Sequence, residues 1–316
     1  MRLNQKIKYY FYRSISAIVA MTIVASSFTL VGEASLLAKP LPQQQENRAA
    51  SALNRPPQQE RQTSLAEPIG KRIASSSNIC SSNLNSVLDP IVNAPTFAKG
   101  KWGILVQSLA TGQTLYEHNP ELSLIPASNM KLLTTAAAVQ NVPKLQPIDL
   151  VEWLRAIGLV NRDSNNGQAN RLLRRMGGVQ AIKTAIAPLG VNPDTYKQVD
   201  GSGLSRSNRA EPITFVDLLR GMSNSPENKI FYDSLSIGGL NGTLTNRLTD
   251  PFLQGRVHAK TGTLKGVRTL SGYLDNPNYG KMVFSIMVNQ SGLSGKVMTN
   301  AIDEMVLDLA QMENCG

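Results

Sequence analysis

GRVHAKTGTLKGVRTLSGYLDNPNYGKMVFSIMV, residues 255–288, is the stretch from which the fold can be read. Its three segments GRVHAK, RTLSGYL and KMVFSIMV are rich in strand formers, alternate in polarity, and are separated by turn residues. Three strands joined this tightly pair antiparallel. Upstream, WGILVQSL (102–109), Thr111-Gly112 and QTLYEH read as a hairpin, which brings the strands to five. Between these two groups the period changes to 3.6. Residues 129–140 form an Ala/Leu/Thr-rich helix, and further helices are expected at 147–157, 166–176, 178–187 and 214–222, the last opened by a Thr214-x-x-Asp217 capping box. Leu84, Val87, Leu88, Ile91 and Val92 mark an earlier helix that stops at Asn93-Ala94-Pro95, and an amphipathic helix over about 295–312 closes the chain. The expected fold is α/β of the α+β type: an antiparallel five-stranded sheet flanked by helices, with a small all-helical lobe inserted.

Composition removes several function classes. The chain has 316 residues, a formal charge of +10, two cysteines and two histidines. A histidine-rich metal centre or a Cys-x-x-Cys zinc ribbon lacks ligands. A Ser-His-Asp triad would have to use His118 or His258. The basic excess is concentrated at the front: residues 1–75 hold 10 basic and 4 acidic side chains, and the remainder 22 and 18. That distribution is no nucleic-acid footprint. Arg2, Lys6, Lys8 and Arg13 precede an uncharged apolar run from about Ile15 to Val31, and small residues follow. Residues 1–38 therefore read as a signal peptide, or as a membrane anchor if uncleaved, and the rest as exported, on the periplasmic or cell-wall side. Residues 39–77, rich in Gln, Pro and Arg, have neither hydrophobic period and read as a disordered linker. The globular domain then spans 78–316. Cys80 and Cys315 stand near its two ends. In an oxidising compartment they suggest a disulfide, the alternative being two unpaired thiols.

Three short motifs bring the chemistry. Pro126-Ala127-Ser128-Asn129-Met130-Lys131 opens a helix, so Ser128 sits where free N–H groups favour a developing oxyanion, and Lys131 lies one turn along on the same face. Taken alone, the pattern is so common that it reads first as an N-cap serine and a solvated lysine. Lys260-Thr261-Gly262-Thr263 sits at a strand–turn junction, where Gly262 allows close backbone approach and Lys260 offers a cation beside an edge strand. For the remaining motif, Ser164-Asn165-Asn166 has Ser-x-Asn spacing and starts a helix in the helical block; Ser205 and Asn208 are one residue too far apart. Asp200-Gly201-Ser202-Gly203 is read first as a tight turn. His258, Trp102 and Trp153 are read as structural.

Together these motifs resemble the active-site signature shared by penicillin-binding proteins and serine β-lactamases. WGILVQSLATGQTLYEHNPELSLIPASNMKLLTTAAAV, VNRDSNNGQANRLLRRMGG, DGSGLSRSNR, GGLNGTLTNRL and AKTGTLKGVRTLSGYL look like the D-alanyl-D-alanine carboxypeptidase/endopeptidase family of low-molecular-mass penicillin-binding proteins. The likeness covers about residues 80–312 in order and implies a β-lactamase/penicillin-binding-protein transpeptidase-like fold. Members of that family usually carry large extra domains between the first two motifs. Only residues 132–163 separate Lys131 from Ser164, so this chain looks like a bare catalytic domain.

The resemblance implies a role for each residue. Ser128 would be the nucleophile, Lys131 its base and Ser164 a proton relay to the leaving group. Asn166, Lys260, Thr261, Gly262 and Thr263 would bind substrate, with the terminal carboxylate on Lys260 and Thr261. The implied partners are peptidoglycan peptides ending in D-Ala-D-Ala, with β-lactams as inhibitors and the membrane reached only through an uncleaved N-terminal segment. The resemblance also implies that no metal or organic cofactor is needed. Alternatives are a β-lactamase-like hydrolase or esterase, and a non-catalytic wall-binding protein. The absence of a suitably placed acidic residue after Ser164 weighs against the former, and the full motif set against the latter.

Overall fold

The computed structural model describes residues 78–315; the signal or anchor segment and the linker lie outside the described residues. In chain order the elements are α1 (Leu84–Val92), β1 (Lys101–Ser108), β2 (Thr114–His118), α2 (Met130–Gln140), α3 (Pro147–Asn161), α4 (Asn166–Arg175), α5 (Val179–Ile186), β3 (Tyr196–Lys197), β4 (Arg209–Ala210), α6 (Pro212–Ser223), α7 (Asn228–Ser234), β5 (Ser236–Ile237), β6 (Val257–Leu264), β7 (Val267–Asn276), β8 (Gly280–Asn289) and α8 (Gly295–Ala310).

The main sheet runs β2-β1-β8-β7-β6-β5, antiparallel throughout. Its five long strands are those the alternating segments predict. The sixth, β5, pairs only Ser236 with Ala259 and Ile237 with His258, too short a run for any periodicity to reveal. A separate ladder joins β3 to β4.

The period of two puts alternate residues of each strand into two cores. On β8, Met282, Phe284, Ile286 and Val288 pack with α1 and α8, while Val283 and Met287 face the helical lobe. The sheet is thus buried on both sides, giving three layers. Within the lobe, α2 is buried along nearly its whole length, Met130 to Val139. It is a core helix even though Lys131, Thr134 and Thr135 are among its buried residues, and it holds the Ser128 segment at its start against the sheet.

The chain ends of the described region meet. Ile79 bridges Met312, and a disulfide joins Cys80 to Cys315 across 235 residues of sequence with Cα atoms 5.7 Å apart.

One helix start differs from expectation. α6 begins two residues earlier than predicted, with Glu211 as N-cap and Pro212 in its first turn, and no capping box forms. Proline there loses no hydrogen bond and arrives with helical φ. Thr214 is buried instead, and its hydroxyl bonds the carbonyl and hydroxyl oxygens of Thr195 at 2.9 and 2.8 Å.

Candidate active site

Ser128 lies in a single 3₁₀ turn, Ala127–Asn129, that leads into α2. The preceding Ala127 has φ +47°, a left-handed conformation that costs about 1–2 kcal/mol for an alanine. Three neighbours hold it there. The Thr269 hydroxyl donates to the Pro126 carbonyl at 3.1 Å, and Asn129 Nδ2 donates to Ser271 Oγ at 2.6 Å, both from the turn to β7. On the other side Gly203, at φ +82°, packs so closely that a Cβ there would fall 1.8 Å from the Ala127 oxygen.

One turn along α2, the Lys131 amine is buried and has three partners: Ser128 Oγ at 2.8 Å, Asn166 Oδ1 at 2.7 Å and the Ser202 carbonyl at 2.6 Å. Two of these are carbonyl oxygens and can only accept; the third is a hydroxyl. A neutral amine has two N–H groups and one lone pair. Donating to Asn166 and Ser202 therefore leaves the lone pair aimed at the Ser128 hydroxyl. Burial lowers the Lys131 pKa to about 8, and the nearby Asp200 carboxylate pulls the other way.

Ser164 and Asn166 arrive from the start of α4. Asn165 is the N-cap, its side chain accepting from the Gln168 N–H at 2.9 Å. Its neighbours then flank the helix start and both line the cleft. Ser164 itself has φ +56°, an uncommon conformation for a non-glycine residue and a second strained position in the cleft. Lys260, fully buried on β6, donates to Ser164 Oγ and to the Thr261 carbonyl, each at 3.0 Å. Burial first, and the Lys131 charge second, hold its pKa well below the usual lysine range.

The cleft runs beside β6. Because β5 covers only His258 and Ala259, the strand edge from Lys260 onward has no sheet neighbour on that side among the described residues. Gly262 lies against the Ser128 turn: a Cβ there would come within 2.9 Å of the Pro126 oxygen. The cleft measures about 410 Å³ and is lined by Ser128, Ser164, Asn166, Leu204, Thr243, Arg247, Thr261, Thr263 and Thr299. Lys131 and Lys260 stand behind this surface. No carboxylate is among the lining side chains.

The structure thus brings Ser128, Lys131, Ser164, Asn166, Lys260, Thr261, Gly262 and Thr263 to one place. Ser205 and Asn208 belong to the adjoining 200–208 loop; the Asn208 side chain accepts from the Val199 N–H at 2.7 Å. That loop is more than a turn. Burial alone would raise the Asp200 carboxyl, but backbone N–H groups of Ser205, Gly203 and Ser202 hold its pKa below the ordinary value. These bonds present the Ser202 carbonyl to Lys131 and Gly203 to Ala127. Thr243, Arg247 and Thr299 were not legible as site residues: Thr243 and Arg247 belong to GGLNGTLTNRL, a segment that carries the family resemblance without an assigned role, and Thr299 sits in the closing helix. His258 shares the Lys260 face of β6 and stacks on Tyr232 at 4.0 Å, while Trp102 and Trp153 are buried.

The model of the D-Ala-D-Ala carboxypeptidase 3 (S13) family matches residues 84–145 and 149–312. A D-alanyl-D-alanine carboxypeptidase of Actinomadura sp. (strain R39) is 36% identical over 164 residues, which cover 47% of this chain and 30% of that protein. Carboxypeptidase DacB of Mycolicibacterium smegmatis is 29% identical over 214 residues, 62% of this chain and 43% of its own length. The chain therefore spans less than half the length of these curated relatives. Among solved structures, penicillin binding protein 4 from Haemophilus influenzae, complexed with a novel β-lactam, superposes with a TM-score of 0.59 at 15% identity, covering 74% of this chain and 99% of that one. The TLA-1 extended spectrum β-lactamase gives 0.60 at 16%, covering 72% and 97%. At such identities the likeness establishes the fold.

Proposed function

The chain belongs to the D-Ala-D-Ala carboxypeptidase 3 (S13) family, and from that membership we propose that it is a serine-type D-Ala-D-Ala carboxypeptidase acting on peptidoglycan stem peptides through an acyl-enzyme on Ser128. The observation that supports this most is the Lys131 amine, 2.8 Å from Ser128 Oγ with its other two contacts on acceptors only. In this reading Lys131 takes the hydroxyl proton as Ser128 Oγ attacks the penultimate D-Ala carbonyl carbon. The oxyanion that forms accepts from the backbone N–H groups of Ser128 and Thr263, donors of a kind worth about 3–4 kcal/mol each. When the C–N bond breaks, Ser164 relays the proton taken up by Lys131 to the departing D-Ala amine, so that Lys131 is neutral again and Ser164 keeps its hydroxyl. Lys260, bonded to Ser164 Oγ, orients that hydroxyl.

Asn166 accepts from Lys131 through Oδ1, leaving its Nδ2 to hold the substrate amide oxygen. The free edge of β6 suits a peptide bound by strand addition. Water then hydrolyses the ester and restores Ser128. A β-lactam acylates the same oxygen, but its amine stays tethered after ring opening, so the adduct leaves slowly.

The β-lactamase alternative is weaker because no carboxylate lines the cleft to activate water on the acyl-enzyme. The family's extra domains, absent between Lys131 and Ser164, leave the balance of carboxypeptidase and endopeptidase action to the assay. We place the activity outside the cytoplasm, with residues 1–38 as signal or anchor and 39–77 as linker, on composition. The test is D-Ala release from a peptide ending in D-Ala-D-Ala, compared with Ser128→Ala. Release lost in that variant is expected; release retained overturns the acyl-enzyme.

A further inference from the structure

A site that recognises a peptide's free C-terminus needs a cation within reach of the carboxylate. The motif reading assigns that duty to Lys260, yet Lys260 is fully buried, spends its amine on Ser164 Oγ and the Thr261 carbonyl, and is absent from the cleft wall. Among the described residues that line the cleft, Arg247 alone is charged. Its Nε and Nη2 grip Asp303 of α8 at 3.1 and 2.6 Å, which leaves Nη1 without a partner among the described residues. Thr299 stands one helical turn before Asp303 on the same face of α8 and also lines the cleft. Thr261 is tied to Thr243 at 2.8 Å, and Thr263 follows two residues on along the same face of β6.

Four threonines and one guanidinium thus surround the α8 side of the cleft. Hydroxyls alone bond a carboxylate and a carboxamide alike; a guanidinium separates them by charge and by its fork of donors. Asp303 does not cancel that charge, because Arg268 is close enough to feel Arg247 and adds a second cation to the group.

We propose that Arg247, held by Asp303, is the residue that binds the substrate's terminal carboxylate, in a subsite completed by Thr261, Thr263 and Thr299, and that Lys260 acts from behind through Ser164. This rests on the reading of the site as a carboxypeptidase and names its specificity-determining side chain.

The test needs no turnover. In the full chain bearing Ser128→Ala, titrate N-acetyl-D-Ala-D-Ala and its C-terminal amide by NMR, which reads millimolar affinities. Adding Arg247→Gln should weaken the acid peptide on the order of tenfold to a hundredfold and leave the amide within about twofold. Arg247→Gln/Asp303→Asn, which removes both charges and leaves no orphaned carboxylate, should show the same selective loss. Equal weakening of both peptides, an unaffected acid peptide, or no binding of either by the parent would overturn the assignment. Penicillin labelling of the Ser128 chain is scored separately: its failure strikes the acyl-enzyme reading, while the titration judges Arg247.

Discussion

Acylation of Ser128 should rise with pH through the range set by Lys131. The base must be neutral to take a proton. With a pKa of about 8, the neutral fraction at pH 7 is roughly 10%, against about 0.03% for a lysine at its ordinary 10.5. Burial of the amine thus supplies about 300-fold more active base near neutrality. The rate of labelling by a fluorescent penicillin, followed from pH 5.5 to 10, should climb about tenfold per unit at first and level off above pH 8. Because Lys131 and Lys260 repel each other, the midpoint belongs to the pair. Asp200→Asn removes the one anion that raises the Lys131 pKa, so the limb should move to lower pH even if the plateau falls. An Asn side chain can still accept from the Ser202 and Gly203 N–H groups through its oxygen, which limits damage to the loop. A limb centred near 10.5, no limb at all, or a limb that moves upward in Asp200→Asn would refute the assignment of Lys131 as base.

Folding stability should respond to the same groups. For Lys131 the pKa is about 8 folded against about 10.5 unfolded, so the unfolded chain binds more protons and stability rises with pH between about 8 and 10.5, by up to about 1.4 kcal/mol per unit, and Lys260 shifts in the same direction; urea melts across that range should show the rise, and Lys131→Met should reduce it. Replacing Cys80 and Cys315 by serine opens a loop of 235 residues, and a loss of about 3–5 kcal/mol is expected in denaturant titrations at constant pH. Gly203→Ala meets the Ala127 oxygen and an unfavourable φ together; a drop in melting temperature with slower penicillin labelling is the expected result, and unchanged labelling would show that the loop does not hold the Ser128 turn.

The sheet and the central helix were legible because their signals are long. β6, β7 and β8 are runs of eight to ten residues rich in strand formers and bounded by turn residues, and α2 is an eleven-residue run dominated by Leu, Ala and Thr. Two-residue strands such as β5 contain no period to read, and the start of α6 shows how a proline in the first turn outcompetes a plausible Thr-x-x-Asp box. In the site, spacing led to the residues whose chemistry is set within one turn of helix or one strand. Lys131 reaching Ser128 is such a case. What spacing does not reveal is contact between distant segments. The Ser202 carbonyl meets Lys131 across 71 residues, and Arg247 meets Asp303 across 56. Nor does it reveal depth: Lys131 and Lys260 are both buried behind the cleft wall, whereas Arg247 is on it.

Intact-mass spectrometry of the chain after incubation with benzylpenicillin tests the central claim most directly. A single adduct with the mass of the whole antibiotic, located by peptide mapping on Ser128 and lost in Ser128→Ala, is the predicted result. A folded chain that stays unmodified, or an adduct that persists in Ser128→Ala, would contradict it.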